Sequence, residues 1–452
     1  MIKKLLRFFL IFLLSLVVIV LVFVAVSVAP VDRTPADQQD FYAKMMARLD
    51  SIPETGITES NEGFYVGYAK SRLTPSYRTS TAGYSKRKGK LYSAIHDSVF
   101  VRTIVIASGE TKVALVSADL LIIPPTVTAI LNDRLGEVGF SLDNTYLGAT
   151  HSHNSIGNWG EGAARFIYGA HDDSVVTFIA QSVINSIREA ASTLQPAQLL
   201  SGAIPIPHAV DNRVVKSGAE DPYLRVLEIR RADSSRLVLA SFTAHATCLY
   251  ARDLELSRDY PGKLVDLLEQ RSYDFAMFMA GAVGSHKPAA PRSGWDCVDW
   301  MATTVTDTFL RHRDTLRQLD NSSLRMERVP LLLPEPQVKI FADWKVRPWL
   351  FRTAMGEYPA YLTALRIGDV VMLGTPCDFS GELGAPLDSA ASTFGATVMV
   401  TSFNGGYIGY VTPGKYYDLD HHETRLMNWY PPGTGEYVST CLQKLIGVVM
   451  AK

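Results

Sequence analysis

Histidine and acidic residues stand directly after several apolar runs of the sequence, at the points where buried strands would end. His151 and His153 follow the run NTYLGAT, and His245 follows RLVLASFTA. Asp378 follows DVVMLGTPC, and Tyr410 closes the segment TVMVTSFNGGYIGY. Imidazole nitrogens and a carboxylate oxygen are the donors of catalytic zinc sites, which leave one position open for water. The pattern therefore indicates a candidate zinc site.

Strand geometry explains how these residues can meet. Residues i and i+2 of an extended segment lie on the same side, so His151 and His153 can face one pocket. In open α/β sheets, ligands bind outside the carboxyl ends of the strands. Taken singly, each residue has a structural interpretation: an H-x-H pair on the surface, a core histidine at His245, a turn or cap at Asp378, and a core aromatic at Tyr410. Their joint placement at strand ends favours a site.

The elements that must position these residues alternate along the chain. Helical periodicity is predicted near 125–138, 173–195, 261–271, 299–319 and 436–449. Strands are predicted at 100–108, 112–119, 144–150, 236–244, 274–282, 369–376 and 397–403. This order predicts a mixed α/β fold, with mixed β-sheets flanked by helices in a large single domain over 63–452. The charged run DLDHHETR, which contains His421 and His422, is more typical of a solvated loop.

The N-terminus is apolar enough to enter a membrane. Residues Phe8 to Ala29 form an uncharged run of 22 residues, preceded by Lys3, Lys4 and Arg7. That run can cross about 30 Å of hydrocarbon, and the basic cluster keeps the N-terminus in the cytoplasm. We expect residues 1–30 to be a transmembrane anchor or a signal peptide, residues 31–62 a stalk or linker, and the rest to lie outside the cytoplasm, on the periplasmic or extracellular face.

Composition excludes several classes of protein. The 452 residues carry 44 Lys and Arg against 45 Asp and Glu, so no excess of positive charge favours a nucleic-acid partner. The chain is 47% hydrophobic, which indicates a folded protein with a large core. Its four Cys include no C-x-x-C pair, which argues against a thiolate zinc site and leaves the disulfide pairing and the oligomeric state open.

Several motifs occur in an order that resembles the catalytic domain of the neutral, non-lysosomal ceramidases. They are GATHSHN (148–154), DNR (211–213), TAHATCL (243–249), SRDYPG (257–262), FMAGAVGSHKP (278–288), TPCDFSGELG (375–384) and NGGYIGYVTP (404–413). The resemblance spans about 64 to 420 and points to a bacterial, membrane-anchored relative.

The resemblance implies a zinc-dependent amide hydrolase with one Zn2+ per chain. Carried over residue by residue, the metal ligands would be His151, His245, Asp378 and Tyr410. The family usually has Glu where this chain has Asp378, and Glu382 is the alternative acidic ligand. The implied substrate is an N-acyl amide of a sphingolipid or a related lipid.

Other roles also follow from the resemblance. A zinc-activated water would attack the amide carbonyl, while Tyr410 would stabilise the oxyanion or protonate the leaving amine. His153 or His286 would transfer the proton, and Arg213 or Lys287 would bind the substrate. Because the chain has Gly284-Ser-His-Lys-Pro where ceramidases have G-D-V-S-P, two alternatives stay open. They are an exported metallohydrolase with a different ester or amide substrate, and a catalytically inactive binding relative.

Overall fold

Strands and helices alternate along most of the chain. The computed structural model describes residues 2–53, 63–341 and 343–451. The helices are α1 Ile2–Ser27, α2 Asp40–Asp50, α3 Pro125–Arg134, α4 Arg165–Tyr168, α5 Asp173–Ser192, α6 Asp259–Arg271, α7 Trp295–His312, α8 Pro348–Met355, α9 Ala385–Ser392 and α10 Thr434–Met450. The strands are β1 Val28–Pro30, β2 Phe64–Arg72, β3 Phe100–Ser108, β4 Thr111–Ala118, β5 Thr145–Ala149, β6 Gln195–Pro205, β7 Val210–Asn212, β8 Tyr223–Arg231, β9 Arg236–Phe242, β10 Phe275–Ala280, β11 His286–Pro288, β12 Arg317–Gln318, β13 Leu324–Pro330, β14 Lys339–Phe341, β15 Trp344–Val346, β16 Tyr361–Ile367, β17 Val370–Thr375, β18 Asp378–Phe379, β19 Thr397–Ser402 and β20 Tyr410–Val411.

Two mixed sheets pack face to face and form the centre of the core. The larger sheet has the strand order β10-β9-β8-β6-β2-β3-β4-β5, and β12 pairs with β6. The smaller sheet has the order β13-β16-β17-β19. Val113 and Leu115 of β4 share one apolar cluster with Val370 and Met372 of β17. Because side chains alternate across a strand, these residues face inward between the two sheets.

The opposite face of each sheet is covered by helices. Ala114 of β4 packs in a cluster with Ile179 of α5. Val371 of β17 packs in another cluster with Leu442 of α10. A third cluster joins β8, β9 and β10 to α6 and α7. The layers are therefore helix, sheet, sheet and helix, which confirms the predicted mixed α/β fold with flanking helices.

The larger sheet curls until its two edge strands meet. β5 and β10 occupy opposite ends of the strand order, yet they are in contact. Gly148 of β5 lies so close to Met279 of β10 that an added Cβ would come 3.1 Å from the sulfur. The Ser117 hydroxyl of β4 also donates to the carbonyl of Phe278. This closure brings the carboxyl ends of β5 and β9 to one place, although the strands belong to opposite halves of the sheet.

The predicted strands and helices are confirmed, and most bounds agree within a few residues. The helix predicted over 299–319 is the exception, because α7 ends at His312 and Arg317–Gln318 form β12. Strands such as β6, β8, β13 and β16 were not predicted, because Pro, Gly or charged residues interrupt their apolar pattern. Glu228 of β8, for example, is buried, and it is paired there with Arg230 and Arg236 at 2.8 and 2.9 Å. A charge that is paired in this way can occupy a core strand.

The segment predicted as a stalk packs on the domain where the structure describes it. Met45 and Leu49 of α2 are buried in the same cluster as Val438 of α10. Residues 54–62 of the predicted linker lie outside the described residues. The division of the chain at residues 30 and 62 stays a prediction.

Two cysteines are paired. Cys248, in the segment after β9, forms a disulfide with Cys297 of α7. Cys377 and Cys441 are buried thiols. The disulfide lies close in sequence to His245, so it ties the segment that carries this histidine to a long helix.

Candidate metal centre

Three histidine side chains converge at the carboxyl ends of β5 and β9. His151 and His153 follow β5, and His245 follows β9. The Nε2 atoms of His151 and His245 lie 2.9 Å apart, and that of His153 lies 3.2 and 3.0 Å from them. These three residues, which we call the histidine cluster, form a group that could hold a metal ion.

His151 is fixed by contacts on two sides. Its Nδ1 lies 2.6 Å from the Leu121 carbonyl oxygen, which can accept its proton and so leave the Nε2 lone pair facing the cluster. The ring of Phe403 stacks on the imidazole at 3.9 Å. His151 and Phe403 both have positive φ, 62° and 69°. Non-glycine residues rarely adopt this conformation, and it is typical of functional sites.

His153 depends on a glycine in a neighbouring segment. Gly83 has a φ of +117°, and a Cβ there would lie 2.7 Å from His153 Nδ1. The ring of Tyr84 packs against the imidazole with its centre 4.7 Å away. The sequence assigned His153 a role beside the metal, whereas the structure places its Nε2 among those of the other two histidines.

Asp378 and Tyr410 lie side by side because β18 and β20 pair in parallel. Their register sets Asp378 opposite Tyr410. Asp378 Oδ1 lies 3.5 Å from His151 Nε2 and is buried without a hydrogen-bond partner. Oδ2 accepts a 2.6 Å hydrogen bond from the Tyr407 hydroxyl. Burial raises the pKa of Asp378 to about 7, because the ionised carboxylate has lost its water.

The donors fit a metal ion. Burial lowers the pKa of His151 to about 3 and holds those of His153 and His245 well below the usual value, so all three rings are neutral. Neutral imidazoles are the form that binds metal. Three nitrogens around a tetrahedral zinc would lie about 3.3 Å apart, since each bond is about 2.0–2.1 Å, and the observed spacing is close to this value. The unpartnered Asp378 Oδ1 is a further donor next to the cluster.

Arg213 joins the cluster to Tyr410. Its Nη2 donates to the Tyr410 hydroxyl at 3.1 Å, and its Nε lies 3.0 Å from Glu423 Oε1. The ring of His422 meets that of Tyr410 edge-on at 5.8 Å. His421 and His422 of the DLDHHETR run are exposed, as expected for a solvated loop, whereas Glu423 and Thr424 at the end of the same run are buried. The run folds back because Glu423 neutralises the buried Arg213.

Three further candidates from the sequence contact groups outside the histidine cluster. They are His286, Lys287 and Glu382. His286 Nε2 accepts a bond from the backbone N–H of Asp221, and its Nδ1 lies 2.9 Å from Ser285 Oγ. Lys287 is exposed, and its Nζ lies 3.7 Å from an Asp211 carboxylate oxygen.

Glu382, the alternative acidic ligand, accepts hydrogen bonds from Asn212 and Tyr416, both at 2.9 Å. Six of the residues singled out in the sequence come together in the structure: His151, His153, His245, Asp378, Tyr410 and Arg213.

Sequence reasoning missed the residues that support the ligands. Tyr407 contacts Asp378, and Phe403 contacts His151. Gly83 contacts His153, and Glu423 contacts Arg213. Phe403 carried a usable signal, since it stands at the end of an apolar strand in the same way as the histidines.

A cavity lies beside Tyr407, with many aromatic residues and also Glu161, Arg352 and Glu357 in its walls. Its volume is about 460 Å³, and its walls include Trp159, Tyr168, Phe351, Trp429 and Tyr407. Tyr407 is the link, because its ring lines the cavity while its hydroxyl bonds Asp378. A pocket of this size and lining suits an apolar ligand.

Comparison with known proteins identifies a family and a fold that this chain resembles. Residues 64–283 match the family model described as neutral/alkaline non-lysosomal ceramidase, N-terminal. The crystal structure of neutral ceramidase from Pseudomonas aeruginosa superposes with a TM-score of 0.73 at 19% identity, over 86% of this chain and 74% of that chain. A ceramidase complexed with C2 gives a TM-score of 0.74 at 18% identity, over 86% and 75% of the two chains. Among curated proteins, no match was found.

The fold is thus that of the solved ceramidases, with a histidine cluster at its strand ends. The match of residues 64–283 to the neutral/alkaline non-lysosomal ceramidase family model confirms the resemblance seen in the sequence. Family and fold together support a ceramidase-like hydrolase.

Proposed function

We propose that this protein is a zinc-dependent hydrolase that cleaves the N-acyl amide bond of a sphingolipid or a related lipid. The observation that carries the proposal is the histidine cluster next to an unpartnered Asp378, together with the cavity beside Tyr407. The proposed ligands are His151, His245, Asp378 and Tyr410. The contact of His153 Nε2 with the other two histidines adds His153 to the candidates.

A bound Zn2+ would supply a polarised carbonyl and a water of lowered pKa. The protein's own residues would do the rest. Burial holds the pKa of Tyr410 well above its usual value, so its hydroxyl stays protonated and can donate to a developing oxyanion. Arg213 would hold that hydroxyl in place and bind a polar group of the substrate.

Proton transfer to the leaving amine would fall to Tyr410 or His153. We propose a positioning role for His286, because both of its ring nitrogens are engaged by other groups. Lys287 is exposed and would contact only the outer end of a substrate.

The cavity beside Tyr407 supports a lipid substrate. Its walls carry aromatic and aliphatic side chains from Trp159 to Trp429, and Tyr407 connects it to Asp378. An acyl chain in this cavity would lie against Tyr407, whose hydroxyl contacts Asp378. A shallow polar cleft at this place would have argued against a lipid.

We further propose that α1 anchors the protein in a membrane, with the hydrolase outside the cytoplasm, as in a periplasmic enzyme of a bacterium. α1 is long and apolar enough to cross a bilayer, and only Ser27 among its described residues is buried. The Cys248–Cys297 disulfide supports an oxidising compartment.

The test is metal content together with activity. We expect about one zinc per detergent-purified full-length chain and hydrolysis of an N-acyl sphingosine. His151→Ala and His245→Ala should lose both properties. His96→Ala is the matched control, because that histidine stacks on Trp295 instead of facing the cluster. A wild-type protein that binds no zinc after incubation with the metal would overturn the proposal.

A second candidate keeps the same centre but changes the substrate. The Gly284-Ser-His-Lys-Pro segment is engaged internally, since Ser285 bonds Ser380 at 2.9 Å. This departure favours a different headgroup, in another exported amide or ester hydrolase. Zinc binding together with hydrolysis of simple esters, but not of N-acyl sphingosine, would select this candidate.

A further inference from the structure

The end of the apolar helix α1 is built into the domain. Strand β1, which follows the helix directly, pairs antiparallel with β15. The Trp349 indole N–H donates to the Val26 carbonyl at 2.7 Å, and the Arg347 backbone N–H donates to that of Ser27 at 2.8 Å. Helix ends leave such carbonyls without intrahelical partners. The helix therefore leaves the membrane through a fixed joint, and its direction sets the orientation of the domain.

The length of the helix sets the height of this joint. The 20 residues from Phe8 to Ser27 follow the last charge, Arg7. At about 1.5 Å per residue they span about 30 Å, the thickness of the hydrocarbon core. Ser27 then lies at its outer edge. Trp349 lies at the same level, and Trp344 pairs with Pro30, three residues beyond Ser27.

Helix α8 begins at this level and is unusually apolar for its exposure. It contains Trp349, Leu350, Phe351 and Met355, yet none of its residues is buried. Trp349 is 46% exposed, and Trp344, in the preceding strand, is 48% exposed. Trp side chains favour the headgroup region of bilayers, and short amphipathic helices lie flat in it.

We propose that α8, together with Trp344 and Trp349, lies in the headgroup layer of the bilayer that α1 spans. The inference rests on the proposed membrane insertion of α1. The occupant of this face is the lipid bilayer itself, because the face lies beside the point where the apolar helix leaves the domain.

This placement gives the cavity a route to its substrate. Phe351, Arg352 and Met355 of α8 form part of the cavity wall. Met355 lies about 9 Å along the helix from Trp349. A lipid amide can thus pass from the leaflet, alongside α8, into the cavity that leads to Tyr407, without crossing water.

The experiment is quenching of tryptophan fluorescence by brominated lipid. The full-length chain is reconstituted into phosphatidylcholine vesicles whose acyl chains carry bromine near the glycerol. The chain has six Trp and none lies in α1, so quenching reports on the exported part. We expect a loss of up to roughly a third of the emission, since two of the six Trp face lipid. In Trp344→Phe/Trp349→Phe the quenching should vanish.

The matched control is Trp300→Phe, in α7, which should keep the full quenching. Unquenched wild-type protein in the vesicles would overturn the inference, and so would quenching that persists in the double variant. Zinc content, measured on the same samples, separates the two proposals. Normal zinc without quenching refutes only the membrane face, whereas quenching without zinc refutes only the hydrolase. Failure of the chain to float with the vesicles refutes membrane insertion, and the inference with it.

Discussion

Removing one hydroxyl beside the metal centre should weaken zinc binding. The Tyr407 hydroxyl donates a 2.6 Å hydrogen bond to Asp378 Oδ2, and it leaves Oδ1 directed at the histidine cluster. A hydrogen bond to a charged group contributes about 1.5–3 kcal/mol. Tyr407→Phe should therefore raise the zinc dissociation constant by about 10- to 100-fold, the range found when a partner of a metal ligand is lost.

The effect should depend on pH. The Tyr407 hydrogen bond lowers the pKa of Asp378, whereas burial raises it. Without the hydroxyl the carboxyl holds its proton to higher pH, and zinc must displace that proton. The loss of affinity should thus be larger at pH 6 than at pH 8.

Competition with a chromophoric chelator measures this affinity on the full-length chain. Tyr430→Phe is the matched control, because Tyr430 lines the same cavity and its variant should bind zinc as the wild type does. If Tyr407→Phe also binds zinc within about a factor of two of the wild type, the Tyr407 hydrogen bond does not position Asp378 for the metal.

Other predictions concern stability and geometry. Glu423→Ala leaves the buried Arg213 without its nearest carboxylate, so urea unfolding should show a loss of about 3 kcal/mol, with a smaller loss for Glu423→Gln. Gly83→Ala adds a Cβ that would lie 2.7 Å from His153 Nδ1 at a φ of +117°, so zinc content should fall even where circular dichroism shows an intact fold. Burial raises the pKa of Asp119 from 3.8 to about 6, so this carboxyl contributes stability below pH 4 that is lost as pH rises through 6. In Asp119→Asn that part of the pH dependence of Tm should disappear; an unchanged profile would contradict it.

The sequence predicted the strands that carry the ligands because their apolar runs are long and uninterrupted. β5, β9 and β17 are buried along nearly their whole length, and such strands are recognised from composition alone. The histidines were found for the same reason, since each interrupts an apolar run at its end. The helix-like region around α8 was not predicted, because a short amphipathic segment between two prolines carries little periodic signal.

The supporting residues around the centre could not be predicted, because they come from segments that only the fold brings together. Tyr407 and Gly83 are 324 positions apart in the numbering, and neither carries metal-binding chemistry. Glu423 was hidden in a charged run whose composition is that of a surface loop. Its burial follows from the position of Arg213, which no local pattern reveals.

The meeting of β5 and β10 is needed before all three imidazoles can share one metal ion. His151 and His245 are 94 positions apart and come from opposite halves of the curled sheet. If only one half of the sheet has formed, that half provides either two of the three imidazoles or just one. High-affinity binding therefore begins when the two edges of the sheet meet. A ligand that binds only the closed form stabilises it by about 2.7 kcal/mol at a hundred times its dissociation constant. The zinc concentration during folding would then control how much of the newly made protein escapes proteolysis.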